Sequence, residues 1–289
     1  SAVQRAATAS ARDAVRAARD AVCEQLRAEL RKTAGLQSGV VLTPEALLFV
    51  DGPEVPLEEV EWADESGARR VRRATVTDTV LHIGPGITLA LANLSGDIAV
   101  EVWNRSDVRV RAEHDRDDRI SSEFKDNVLT LGVRSRWGEP AEVEWKLTVP
   151  AWLPLRLSGM ESEIEVTGMR SAVRAQSMRG DVMVRACQGT LEVNSVEGEV
   201  HVTDVSGLVN AGSVNNVIRL VRVTGTVEAQ TINGDIQLEK LASSSVDAST
   251  VNGRVFFASP FLNNGRYAFS SHNGRLYVGV SSIEEALAV

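Results

Sequence analysis

The sequence predicts a mainly β protein: a two-sheet parallel β-solenoid built from 18-residue rungs, each made of two nine-residue units. Three observations carry this. Glycine recurs every nine residues at Gly180, Gly189, Gly198, Gly207, Gly225 and Gly234, with Asn216 in the single gap. Counting that residue as position 1, positions 3, 5 and 8 are apolar, as in Val200, Val202, Val205 and Ile218, Leu220, Val223. Aromatic residues are only 4% of the chain, which suits thin, regular β-layers better than a bulky core.

Taken in order, residues 1–35 read as an amphipathic helix. Val15, Ala18, Val22, Leu26 and Leu30 recur at helical spacing, and Gly35 is a plausible stop. The helix is expected to cap its own domain or to meet a partner helix. Its interspersed acids Asp13, Asp20, Glu24 and Glu29 argue against a membrane-surface role. Residues 36–86 read as short strands and turns without a family assignment. Candidate strands are Val40–Leu42, Leu47–Val50 and Arg70–Thr77, with a turn at Asp51-Gly52-Pro53.

The solenoid is expected over residues 87–280. Gly96 at position 1 places Ile98, Val100 and Trp103 at positions 3, 5 and 8. An insertion at about 111–150 interrupts the register, with strands near Asn127–Val133 and Glu142–Val149. These read as antiparallel hairpin structure continuing a sheet. The repeat then runs from Leu153 through Ser162 and Ser171 to Gly234, passes a one-residue insertion near Ser243, and continues at Ser244, Gly253, Gly265 and Gly274. Positions 3 and 5 share one face of a strand. Position 8 is expected to point inward at a corner. Position 1 is expected to be a turn with positive φ, tolerated by Gly and next best by Asn. One sheet takes the strands near Ser162, Gly180, Gly198, Asn216, Gly234, Gly253 and Gly274, and the other takes those between. Residues 281–289 read as a tail that caps the last rung.

These residues resemble a bacterial putative-adhesin family of β-strand-repeat proteins of unknown function. The resemblance rests on Asn93-Leu94-Ser95-Gly96-Asp97-Ile98-Ala99-Val100, Trp103, Val108-Arg109-Val110 and Leu147-Thr148-Val149-Pro150. It rests also on Ile232-Asn233-Gly234-Asp235-Ile236 and Val251-Asn252-Gly253-Arg254-Val255. It covers about residues 85–280 and brings no catalytic residues. It implies an envelope or surface role, and is also compatible with envelope-stress sensing.

The remaining chemistry is sparse. A net charge of −8 disfavours nucleic acid. Cys23 and Cys187 are too few for a disulfide framework or zinc site, and Cys187 falls on an inward position. His82, His114, His201 and His272 lack ligand spacing, and His201 falls on an outward position. The charge run Glu113–Asp118 reads as a solvated hairpin loop. Calcium β-rolls need an Asp recurring in every turn. Here Asp97, Asp181 and Asp235 follow the turn glycine singly. Polysaccharide-cleaving β-helices need clustered carboxylates in a groove. The outward column Arg174, Glu192, Asn210, Glu228, Asp247 and its neighbour Gln176, Asn194, Gly212, Gln230, Ser249, Ser270 mix acids with amides and hydroxyls. The opposite column is Glu165, Met183, His201, Arg219, Gln237, Phe256, Tyr277.

The expectation is therefore a non-enzyme without cofactor or metal, with a protein or glycan as partner. Arg219, Phe256 and Tyr277 are the residues expected on its binding face. A self-assembling scaffold joined through the solenoid ends is the second reading, and a glycan-active enzyme the third; a homo-oligomer through the N-terminal helix or the solenoid ends also stays open. No stretch of 18 apolar residues or secretory segment appears in the chain. It begins with Ser, so a removed signal or anchor stays open, and the expected location is the cell envelope or outside the cell, with the cytoplasm also open.

Overall fold

A computed structural model of the chain describes residues 74–135 and 142–279, and the backbone of three short strands before them. The expected helix at 1–35, the candidate strands Val40–Leu42 and Leu47–Val50, and the tail 281–289 lie outside the described residues. Among the described residues the structure is strand and turn, without helix.

The leading strands are β1 (Val55–Pro56), β2 (Val60–Ala63), β3 (Arg69–Arg72) and β4 (Ala74–His82). The strand expected at Arg70–Thr77 is thus two: among the described residues β3 pairs with β2 alone, and β4 belongs to a large sheet. Next come β5 (Thr88–Ser95), β6 (Ile98–Trp103), β7 (Asp107–Asp115), β8 (Asp118–Lys125), β9 (Val128–Ser135) and β10 (Glu144–Pro150). The repeats supply β11 (Leu155–Glu161), β12 (Ile164–Thr167), β13 (Val173–Arg179), β14 (Val182–Arg185), β15 (Gln188–Ser195), β16 (Val200–Thr203) and β17 (Ser206–Ser213). They continue with β18 (Ile218–Val221), β19 (Thr224–Thr231), β20 (Ile236–Glu239), β21 (Ala242–Thr250), β22 (Val255–Ala258), β23 (Arg266–Ser271) and β24 (Leu276–Gly279).

From β11 onward successive strands alternate between two sheets. The larger sheet runs β1-β4-β7-β10-β6-β12-β14-β16-β18-β20-β22-β24, the smaller β23-β21-β19-β17-β15-β13-β11-β5-β9-β8. Within the repeats every pairing is parallel; partners lie 18 residues apart up to β20, as in Val182↔Val200↔Ile218↔Ile236, and the insertions widen this later, as in Ile236↔Val255↔Leu276. The sheet assignment therefore follows the register expected from the sequence. The extra residue near Ser243 is absorbed as a register shift opposite Gly225 and Thr226. Seven rungs at about 4.8 Å give a body ~33 Å long.

Positions 3 and 5 fill the space between the sheets. Val200, Val202, Ile218, Leu220, Ile236 and Leu238 are all 0% exposed. No single coil could bury these faces alone, so each depends on its neighbours. Position 8 behaves differently at the two corners. Cys187, Val205, Val223 and Leu241 join the main core. Met178, Val196, Val214 and Ile232 pack on one another in a small separate row at the other corner.

The insertion departs from the expected hairpins. β8 and β9 do form an antiparallel hairpin, and it extends the smaller sheet beyond β5. β10 instead crosses to the larger sheet, where it lies parallel to β6 and antiparallel to β7. Trp145, Leu147 and Val149 are buried there, so that face selects the inner sheet position. The charge run is not a solvated loop either. Its first half closes β7, wedged between β4 and β10, and alternation turns Ala112 and His114 inward. His114 Nε2 lies 2.8 Å from Thr77 Oγ1 and its Nδ1 2.7 Å from the Asp115 carbonyl.

The turn glycines also need correcting. Gly189, Gly207 and Gly225 have φ of 118°, 133° and 118°, as expected. Gly234 and Gly253 have no positive φ, nor does Asn216. There the constraint is contact between stacked coils. A Cβ on Gly234 would sit 1.9 Å from the Asn216 carbonyl oxygen, and one on Gly253 1.9 Å from that of Gly234. The left-handed conformation appears at position 7 of the larger sheet's units, in Ala186, Asp204, Arg222 and Lys240, with φ of 53° to 57°.

Candidate binding face

The most exposed aromatic surface on the outer side of the larger sheet lies at position 4. Strand register stacks Arg219, Gln237, Phe256 and Tyr277 in one column, on β18, β20, β22 and β24. Four strands span three strand spacings, about 14 Å. Phe256 and Tyr277 are 48% and 38% exposed, with ring centroids 5.7 Å apart and planes tilted by 36°. Arg219 Nε donates to Gln237 Oε1 at 3.0 Å, which holds the guanidinium along the column. Beside the rings, Arg254 is clamped by Asp235. Its backbone N–H and side-chain Nε donate to the two carboxylate oxygens at 2.8 and 3.0 Å. The Arg254 hydrogen bonds, more than its charge, hold the Asp235 carboxyl below the usual carboxylate range. All three residues expected on a binding face thus fall on one strip, with Gln237 between them.

Such a strip offers two π-faces, a guanidinium and an amide on a flat surface. The rings can stack on apolar faces of a ligand. The guanidinium offers planar donors to carboxylate, hydroxyl or carbonyl oxygens.

The outer face of the smaller sheet is polar. Glu192, Asn210, Glu228 and Asp247 stack in register on β15, β17, β19 and β21. Arg174 lies 3.2 Å from Glu192, and Gln230 donates to Glu228 at 2.8 Å. These carboxylates form a column along a sheet face rather than surrounding a groove. Gln176, expected outside, is 6% exposed, because the Arg174 guanidinium covers it within 3.0 Å of its side-chain amide.

A third feature is a row of acids in line with position 2. Glu113 on β7 and Glu144 on β10 are followed by Asp97, Glu163, Asp181 and Glu199, each at position 2 and directly before β6, β12, β14 and β16 of the larger sheet. Burial first, then the charges of Glu113, Asp97 and Glu142, push the Glu144 carboxyl up. Burial and then Asp97, Asp181 and Glu165 do the same to Glu163. At the far end of the row His201 Nε2 lies 2.7 Å from Glu199 Oε2. Among the described residues no three His, Cys, Asp or Glu side chains converge as a metal site. The aspartates of this row have a backbone task. Asp181 accepts the N–H of Glu199 at 2.7 Å, and Asp97 that of Glu163 at 3.3 Å, each tying one coil to the next.

Sequence reasoning missed one buried row. Ser177, Ser195, Ser213, Thr231 and Thr250 occupy position 7 in the smaller sheet and are no more than 6% exposed. Ser177 donates to the Ser162 carbonyl at 2.8 Å, Ser195 to Gly180 at 3.0 Å and Thr250 to Gly234 at 3.0 Å. At the first coil Asn93 replaces the hydroxyl. Its amide donates to the carbonyls of Ser95, Gly96 and Val143, while Trp145 Nε1 donates to its oxygen at 3.2 Å. Outside that corner Asn215, Asn233, Asn252 and Asn273 form an exposed amide ladder, linked at 3.0, 2.8 and 2.8 Å.

No family model matches the chain, and no curated protein matches it. Among solved structures it is similar to a putative adhesin from Parabacteroides merdae, at 10% identity and a TM-score of 0.47, over 70% of this chain and 95% of that one. A putative adhesin from Bacteroides fragilis gives 15% identity and a TM-score of 0.45, over 71% of this chain and 97% of that one. A putative cell adhesion protein from Clostridium sporogenes gives 12% identity and a TM-score of 0.32, over 64% of this chain and 99% of that one.

Proposed function

We propose that this protein is a non-enzymatic β-solenoid of the cell envelope or surface that presents the strip Arg219–Gln237–Phe256–Tyr277 to a protein or glycan. The observation that carries the reading is the column itself: two exposed rings on adjacent strands, continued by a hydrogen-bonded Arg–Gln pair. Arg and Tyr are enriched among residues that dominate binding energy at interfaces. The strip sits on paired strands, so little ordering cost falls on binding. The carboxylates Glu192, Glu228 and Asp247 stack along a flat face, which favours binding over glycan cleavage. The resemblance of residues 85–280 to a bacterial adhesin-named family supports the envelope location. No helix among the described residues is long and apolar enough to cross a membrane.

The test is a glycan array and a panel of purified surface proteins, probed with the full chain and with a Phe256→Ser, Tyr277→Ser variant. The reading expects a ligand for the full chain, weakened at least tenfold in the variant, about 1.4 kcal/mol. Absence of any ligand, or equal binding by the variant, overturns it.

A further inference from the structure

The outer face of the larger sheet is polarised along the solenoid. Its strands β10-β6-β12-β14-β16-β18-β20-β22-β24 all run parallel, with β16 in the middle and four strands on either side. On the β10 side, Glu144, Asp97, Glu163 and Asp181 stand in one row, the first three exposed. On the β24 side the same row carries Arg254 and Arg275, both exposed, directly before β22 and β24. The column beside it holds Arg219, Gln237, Phe256 and Tyr277 on that side. One half of the face is therefore acidic, and the other presents arginines and aromatic rings.

We propose that this face binds a second copy of the chain, related by a two-fold axis along β16. The proposal rests on the strip being a binding face, and it names the partner. Such an axis reverses the order of strands in the copy and keeps each row in line. Strand β24 then lies over β10 of the copy, and β22 over β6. Arg275 faces Glu144 of the copy and Arg254 faces Asp97, each contact made twice by symmetry. The Phe256 ring comes over the small side chain of Ala99, and Tyr277 over the Lys146 ammonium, which a ring face attracts. Gln237 meets Glu165 and offers it the amide N–H groups. Asp235 meets Glu163, but its charge is already balanced by Arg254, whose Nε donates to it at 3.0 Å.

Charge, symmetry and area favour a copy over another partner. Both complementary halves lie on one face, at equal distances from β16, so the face matches itself once it is reversed. A copy turned instead about the solenoid axis would set acids on acids, so charge selects the antiparallel pair. Glu144 and Glu163 are held above the ordinary glutamate range, by burial first and neighbouring acids second. Arginines laid over that row relieve the repulsion among the acids. Over positions 2 to 6 the strands from β10 to β24 cover about 38 Å by 16 Å. Two copies joined this way bury roughly 1,200 Å², within the range of specific interfaces.

Sedimentation and light scattering compare the full chain with full-length Glu144→Arg, Arg275→Glu, the two changes combined, and Phe256→Ser, Tyr277→Ser. The proposal predicts a dimeric full chain whose dissociation constant rises with salt. Each single reversal weakens the dimer at least about tenfold, and so does loss of the two rings, with an unchanged far-UV spectrum throughout. The combined change restores the dimer to within about threefold of the full chain, because the exchanged charges still face one another. A full chain that stays monomeric at ~100 μM overturns the proposal. So does a dimer that every variant keeps at full strength, or a combined change no tighter than either single reversal. The reading of the strip as a binding face fails separately, when loss of the two rings alters neither the dimer nor the binding of any arrayed glycan or surface protein.

Discussion

The hydroxyl of Ser195 donates to the carbonyl of Gly180 at 3.0 Å and accepts the N–H of Gly198 at 2.9 Å. One small buried side chain thereby links its own turn to the turn of the coil before it. Ser177, Thr231, Thr250 and Ser271 repeat the bond to the carbonyl of the coil before, and Ser213 the bond from its own turn, accepting the Asn216 N–H at 3.2 Å. Ser195→Ala leaves two backbone groups unsatisfied in a buried corner, and is expected to cost about 1–3 kcal/mol. Exposed Ser206→Ala is expected to stay within about 0.5 kcal/mol. Chemical denaturation of the two variants checks this.

The glycines and the left-handed corner residues predict effects of opposite sign. Gly234→Ala pushes a methyl group against the Asn216 carbonyl oxygen, which lies 1.9 Å from the ideal Cβ position. Backbone must move in two coils, at a cost of about 3 kcal/mol. Ala186 holds φ at 53°, where only glycine is free of strain. Ala186→Gly is expected to gain ~0.5–1 kcal/mol, as relief of strain exceeds the added chain entropy. Thermal midpoints measured under one condition give both signs.

The row of carboxylates at position 2 predicts an acid-side rise in stability. Folded Glu144 and Glu163 are held above the ordinary glutamate range, by burial first and neighbouring acids second. As pH falls from neutral they protonate in the folded chain before the unfolded one, so stability rises in the window just above that range. Asp78 and Asp235 act the other way. Hydrogen bonds from Arg109 and Arg254 hold them below the ordinary aspartate range. Their contribution is present above that range and is lost as pH falls through it. A midpoint that climbs on mild acidification and then drops is expected. A Glu144→Gln, Glu163→Gln variant should be more stable at neutral pH and lack the climb.

The repeat was legible because one period fixed both the turn and the inward faces. Gly198, Val200, Val202 and Val205 together determine a strand, its buried side and its corner. The column holding Arg219, Phe256 and Tyr277 followed from that register alone. The path of Glu144–Pro150 was not legible, because its apolar face fits either sheet and only pairing with Ile98–Trp103 decides between them. The reason for Gly234 was hidden too, since contact with a residue 18 positions away leaves no local sign. The buried hydroxyls were visible as a recurring Ser or Thr at position 7, between two rows of apolar residues. Their polarity resembled that of the outward positions.

The inside and outside of each coil underlie both the core and the binding strip. Val200 is 0% exposed between Val182 and Ile218, while Thr203 is partly exposed on the same short strand. The most direct measurement is therefore the unfolding free energy of Val200→Asp beside that of Thr203→Asp. The account predicts that Val200→Asp loses about 4 kcal/mol or more, or fails to fold, while Thr203→Asp stays within ~0.5 kcal/mol. Equal losses in the two variants would contradict the register, and with it the assignment of Arg219, Phe256 and Tyr277 to the outer face.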